Sequence, residues 1–206
     1  MPSNTSFELR KAPKQARSRN TVDLILEAAT RILEEGGLAA FNTNAVAERA
    51  GIGVASLYDY FPGKNAILIE FARREISRHR AAVMQAIAAA CEGGAPQPER
   101  SIITALIDAS ETRHAIRRIA AQVLAQAGLE HELDQSLQQI SVLVAEKWPI
   151  LSPHKRSDLP PARLFVLTRA ISGVLSATVR ENADFERKAL EDALVALAEG
   201  VTRQQS

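Results

Sequence analysis

Apolar residues recur at spacings of three and four along almost the whole chain, and no stretch alternates with period two. That pattern predicts an all-α protein. Between Thr21 and Glu35, Val22, Ile25, Leu26, Ala29, Ile32 and Leu33 share one helical face, and Gly36-Gly37 is expected to end the helix. Asn42 is placed to cap a short second helix running through Arg49, with Val46 and Ala47 facing inward. Gly51 breaks it. A third helix, Val54 to Tyr60, is closed at once by Pro62-Gly63. One long helix follows from Lys64 to about Cys91, with Ile67, Leu68, Phe71, Ile76, Val83 and Ile87 on its apolar side, and Gly93-Gly94, Pro96 and Pro98 end it. Further helices are expected over residues 98–110, 113–127 and 129–148. Pro149 and Pro153 then open a polar loop with His154, Lys155 and Arg156. The last two helices, about 161–181 and 184–203, are separated by a turn at Asn182-Ala183.

The first three helices read as a helix-turn-helix unit with a supporting helix. Two short helices packed across a sharp turn need a small residue where they approach, a permissive turn residue and an apolar plug. Ala47, Gly51 and Leu57 stand at those three places. Before this unit, Arg10, Lys11, Lys14, Arg17 and Arg19 fall within ten residues that hold no acid. The stretch reads as a flexible basic arm, suited to phosphate or minor-groove contact or simply to solvation. The domain boundary is expected inside the long helix. The organisation is then an arm over residues 1–18, a helix-turn-helix domain over 19–65 and a helical domain over 66–206.

The segment TNAVAERAGIGVASLYDYFPGKNAIL closely resembles the DNA-binding part of the tetracycline-repressor-like (TetR) family of bacterial regulators. The resemblance rests on Ala47, Ala50-Gly51, Leu57-Tyr58, Tyr60-Phe61, Lys64 and Leu68, and ILEAATRILEEGG resembles the family's first helix. It covers roughly Arg17 to Phe71. The resemblance implies that the third helix is short because only its first turns enter a major groove. It also implies that Tyr58, Tyr60 and Lys64 approach phosphates. Val54, Ala55, Ser56 and Asp59 would face bases, and Asn42, Thr43 and Asn44 would lie beside them, with Arg17 and Arg19 added from the arm. The chemistry of these side chains agrees. A phenol donates to phosphate, and an ammonium at a helix N-terminus sits where the dipole also favours an anion. Asn44 suits adenine, Val54 or Ala55 a thymine methyl, and Asp59 the N4 amine of cytosine; Asp59 is equally a solvent-facing or Arg-paired carboxylate.

Net charge is only +1, so any nucleic-acid footprint must be local. No segment is apolar enough to span a bilayer, and the N-terminus lacks an export signal, so no membrane partner and a cytoplasmic location are expected. Cys91 is the one cysteine, which excludes an intrachain disulfide and a cysteine metal cage. No G-x-S-x-G or H-E-x-x-H motif is present, and His79, His114, His131 and His154 are scattered, so neither a cofactor nor a metal is expected. Gly51-Ile52-Gly53 superficially matches a phosphate loop, but no strand precedes it.

The expected function is a dimeric, ligand-responsive repressor of a near-palindromic double-stranded DNA operator. The alternative is an enzyme or small-molecule carrier whose helix-turn-helix is structural. An effector pocket is expected near Gln122, Gln126, Trp148, Phe165 and Arg169, where polar or aromatic groups border apolar helical faces. Aromatic content of 4% favours an aliphatic pocket and a hydrophobic or amphipathic effector. The stripes on the last two helices are wider than one neighbour covers. They place Leu164, Ile171, Leu175, Ala177, Thr178, Ala189, Ala193 and Leu197 at a homodimer interface, which the resemblance implies is a four-helix bundle.

Overall fold

The computed structural model describes residues 16–92, 97–151, 160–181 and 185–202. Among these the secondary structure is entirely helical: α1 (Ala16–Ala40), α2 (Thr43–Ala50), α3 (Val54–Tyr60), α4 (Lys64–Glu92), α5 (Pro98–Glu111), α6 (His114–Ala127), α7 (His131–Leu151), α8 (Pro161–Glu181) and α9 (Arg187–Thr202). His154, Lys155, Arg156 and the Asn182-Ala183 turn lie outside the described residues, as does Arg10, Lys11 and Lys14 of the basic stretch.

Three boundaries differ from the sequence reading. α1 begins at Ala16, so Arg17 and Arg19 stand on its first turn rather than in a flexible arm. Nothing between Ala16 and Thr21 breaks a helix, and the apolar face simply starts later than the backbone does. At the other end, Gly37 (φ 62°, ψ −161°) interrupts the helix where expected, in a region open essentially only to glycine. One further turn then runs to Ala40. α7 passes through Pro149 to Leu151.

The chain divides into two compact units, Met1–Glu75 with Ala115–Glu130, and Ile76–His114 with His131–Ser206. In the first, α2 packs on α1 and α3 on α2. Ile25, Leu26, Ala29, Leu33, Phe41, Val46, Ala47, Leu57, Phe61, Ile67 and Phe71 are buried there. Each large side chain among them contributes about 1.5–3 kcal/mol. α6 adds Ile116, Ala120, Val123 and Leu124, one face at four-, three- and one-residue steps, all at most 5% exposed. The same unit holds a buried carboxylate, Glu75, at 3% exposure. Burial lowers the proton affinity of the Arg117 guanidinium, and the charge of Glu75 opposes that shift.

In the second unit α5 packs on α8 and α9, and α8 also packs on α7 and α9. Its core is Ile103, Ile107, Leu167, Leu175, Leu194, Val195 and Ala198. Arg100 bonds Glu191 (2.7 Å) and Asp192 (2.8 Å), and Arg187 pairs with Asp108 and Glu111, so charged ties join α5 to α9 around that core.

Candidate nucleic-acid interface

The turn between α2 and α3 is built from backbone hydrogen bonds. Gly51, at φ 67° and ψ 31°, is left-handed. Its N–H donates to Glu48 O (3.1 Å), and the next N–H, of Ile52, reaches back to Ala47 O (3.0 Å). This Schellman closure satisfies carbonyls that the end of α2 would otherwise leave open. A Cβ at Gly51 would meet open space, so the demand for glycine is conformational. The chain leaves the turn through Gly53, whose carbonyl accepts from Leu57 N–H (3.1 Å).

α3 is almost all surface. Leu57 is its one buried residue. Val54 is 38% and Tyr58 41% exposed, Ala55, Ser56 and Asp59 are exposed, and Tyr60 is half-buried. A single buried leucine contributes about 1.5–3 kcal/mol. The outer face of α3 is exposed in the chain.

The neighbouring helices border this face. Asn42 caps α2, its Oδ1 accepting from Ala45 N–H (2.9 Å), so its amide oxygen is already engaged. Asn44 is exposed, and the half-buried Thr43 has its hydroxyl 3.4 Å from that of Tyr58. Lys64 is exposed at the first position of α4, beside N–H groups that lack helical acceptors. Arg19 is exposed, and the Arg17 side chain lies outside the described residues. Arg49 bonds Glu35 (2.5 Å), joining α2 to α1, and Arg74 bonds Asp23 (2.6 Å), joining α4 to α1. The Arg49 contact holds the Glu35 carboxyl below, and the arginine above, its ordinary range.

Residues 25–71, which include α2, the turn and α3, match the family model described as bacterial regulatory proteins, tetR family. Over those residues the chain is similar to the N-terminal part of TetR-family regulators. The chain is 34% identical over 113 residues to the HTH-type transcriptional repressor KstR of Mycolicibacterium smegmatis, covering 53% of this chain and 54% of that protein. It is 40% identical over 67 residues to KstR of Rhodococcus jostii, covering 32% and 29%. The matched stretch thus spans about half the length of the first of these relatives, and less of the second. Likeness of fold extends further. A TetR-family regulator from Mesorhizobium loti aligns with a TM-score of 0.68 at 19% identity, over 91% of this chain and 97% of the other. The multidrug binding protein EbrR, complexed with imidazole, aligns at 0.63 and 16% identity, over 85% and 93%. These two structures share the helical fold of this chain.

The residues expected at an effector pocket divide between the two units. Gln122 and Gln126 are exposed on α6 of the first. In the second, Phe165 is 62% exposed, with the Arg169 guanidinium 5.6 Å from its ring centroid. Arg169 also bonds Asp134 of α7 (2.5 Å). The Trp148 side chain lies outside the described residues.

The expected dimer stripe splits into two faces. Leu175, 7% exposed, belongs to its own unit's core, and Ile171 and Leu197 pack against that core. Leu164, Ala177 and Thr178 are half-buried. The outward faces of α8 and α9 carry Phe165, Val166 (50%), Gly173 and Val174 (37%), and Ala189, Ala193, Ala196 and Gly200. Within the single chain Leu175 is thus already covered by its own unit. A broad stripe read from sequence does not say which half its own domain covers.

Proposed function

We propose that the protein is a ligand-responsive transcriptional repressor of the cytoplasm that binds a near-palindromic operator as a homodimer. The observation that carries this reading is α3, a seven-residue helix that buries only Leu57 and leaves its outer face, with Tyr58 and Lys64 beside it, open. Relatives over the first half of the chain are named transcriptional repressors. Two copies of α3 held about 34 Å apart would meet successive major-groove faces of one duplex.

The outward faces of α8 and α9 supply the means of holding them. Small residues at four- and three-residue steps, Ala189, Ala193, Ala196 and Gly200, allow close helix approach, and Val166 and Val174 add apolar area. A hydrophobic or amphipathic effector is assigned to the second unit, whose helices are apolar and nearly free of aromatic residues; a structural neighbour is named a multidrug binding protein. Phe165, Arg169 and Trp148 remain candidates for its contacts.

The test is a gel shift with the DNA upstream of the protein's own gene. A retarded complex, lost on addition of an apolar effector, is expected. Failure to bind this DNA or any duplex at about 50 mM salt, where phosphate contacts are strongest, would sink the reading.

A further inference from the structure

α2 and α3 together contain one basic residue, Arg49, and Glu35 of α1 engages it. α3 has no base at all, and its single charge is Asp59. Ala55 and Asp59 each stand two residues from the buried Leu57, about 200° around the helix axis. They therefore form the ridge aimed directly away from the core, and both are exposed. Val54 and Tyr58 flank this ridge on one side and Ser56 on the other. Whatever enters a groove first on this helix is a methyl group and a carboxylate one turn apart.

We propose that Asp59 is a specificity-determining residue that accepts a hydrogen bond from the N4 amine of a cytosine in the operator, with Ala55 beside it against a thymine methyl. The inference rests on the reading of the protein as an operator-binding regulator. An ionised carboxylate only accepts hydrogen bonds. In the major groove guanine shows two acceptors and thymine one, and adenine sets its N6 donor beside the N7 acceptor. Cytosine alone presents a donor and no acceptor of its own. Guanine and thymine offer the carboxylate acceptors only, and adenine sets an acceptor beside its donor, so all three are poorer partners than cytosine. Asp59 therefore selects by what it refuses as well as by what it binds.

The experiment is enrichment of a random-sequence duplex library by the full-length protein and by the Asp59→Ala and Asp59→Asn variants. The unmodified protein should enrich a half-site with cytosine at one position. Asp59→Ala should enrich the same half-site with that position relaxed, losing about 5- to 150-fold of cytosine preference. Asp59→Asn should move the preference to adenine, because an amide pairs with adenine N6 and N7. The alanine variant should also bind unrelated DNA at least as tightly as the parent, since a charge repelled by phosphate has gone. Equal thermal midpoints would establish that these changes are not losses of fold. An Asp59→Ala variant that keeps every base preference of the parent overturns this inference alone. A parent that enriches no motif removes the operator reading and the inference with it.

Discussion

The hydroxyl oxygens of Tyr58 on α3 and Thr43 on α2 lie 3.4 Å apart, so the second and third helices present a shared polar edge beside the exposed face. Such an edge fits a phosphate that both helices approach. Tyr58→Phe, and separately Lys64→Ala, should weaken binding to operator and unrelated duplexes alike, by about 1–2 kcal/mol each, because phosphate contacts position without specifying. Fluorescence anisotropy at about 0.15 M salt measures this. A Lys64→Ala protein with undiminished affinity would show that this lysine touches no phosphate.

The turn is the second target. Gly51→Ala puts a side chain on left-handed backbone, with no steric neighbour to complicate the reading. Thermal unfolding should show a loss of about 1–2 kcal/mol, and a smaller one for Gly51→Asn, which tolerates that region better. Equal midpoints for all three proteins would mean that the turn adapts without strain.

Glu75 and Arg117 provide a third test, inside the first unit. Glu75→Ala leaves a desolvated guanidinium without its main counter-charge and should destabilise by about 3 kcal/mol in urea unfolding. The paired change Glu75→Leu with Arg117→Met should recover most of that loss, since neither charge is then buried. If the double variant is as unstable as the single one, packing rather than charge sets the cost.

The α8 and α9 surfaces predict different outcomes for neighbouring positions. Ala177→Glu combined with Ala193→Glu should sediment as a folded monomer with lost operator affinity. Leu175→Ala, two residues from Ala177 but in the core, should instead lower stability by about 2–5 kcal/mol. A dimeric glutamate variant that still binds DNA would move the interface elsewhere.

A pH dependence follows from the exposed pairs. Hydrogen bonds from Arg49 and Arg100 hold the Glu35 and Asp192 carboxyls below their ordinary range. A carboxyl whose folded pKa is depressed contributes its stability above the unfolded value, about 4. That contribution is lost as pH falls through the lower folded value. Between about pH 5 and pH 3 the thermal midpoint of Glu35→Gln should therefore fall less steeply than that of the parent. The gap should be small and should shrink in salt, because the pair is exposed. Parallel curves would mean that the contact does not persist in solution.

Local chemistry was legible in the residues. The run Asn42, Gly51, Val54 to Tyr60 and Pro62-Gly63 specifies its own structure, because a side-chain cap, a left-handed glycine and a proline break act within a few positions of themselves. The helices came out within a few residues of their expected ends for the same reason, apart from the early start of α1 and the passage of α7 through Pro149. Tertiary structure decided which apolar faces meet. Sequence spacing shows that α6 has a buried side but not that Ile116, Ala120, Val123 and Leu124 belong with the helix-turn-helix helices, some fifty residues earlier in the chain. It shows a broad stripe on α8 but not that Leu175 turns inward while Val166 and Val174 stay exposed. It likewise leaves Glu75 as one more charged residue on a long helix, and only folding puts it in the interior. Periodicity is a property of one helix, whereas burial is a property of what packs against it.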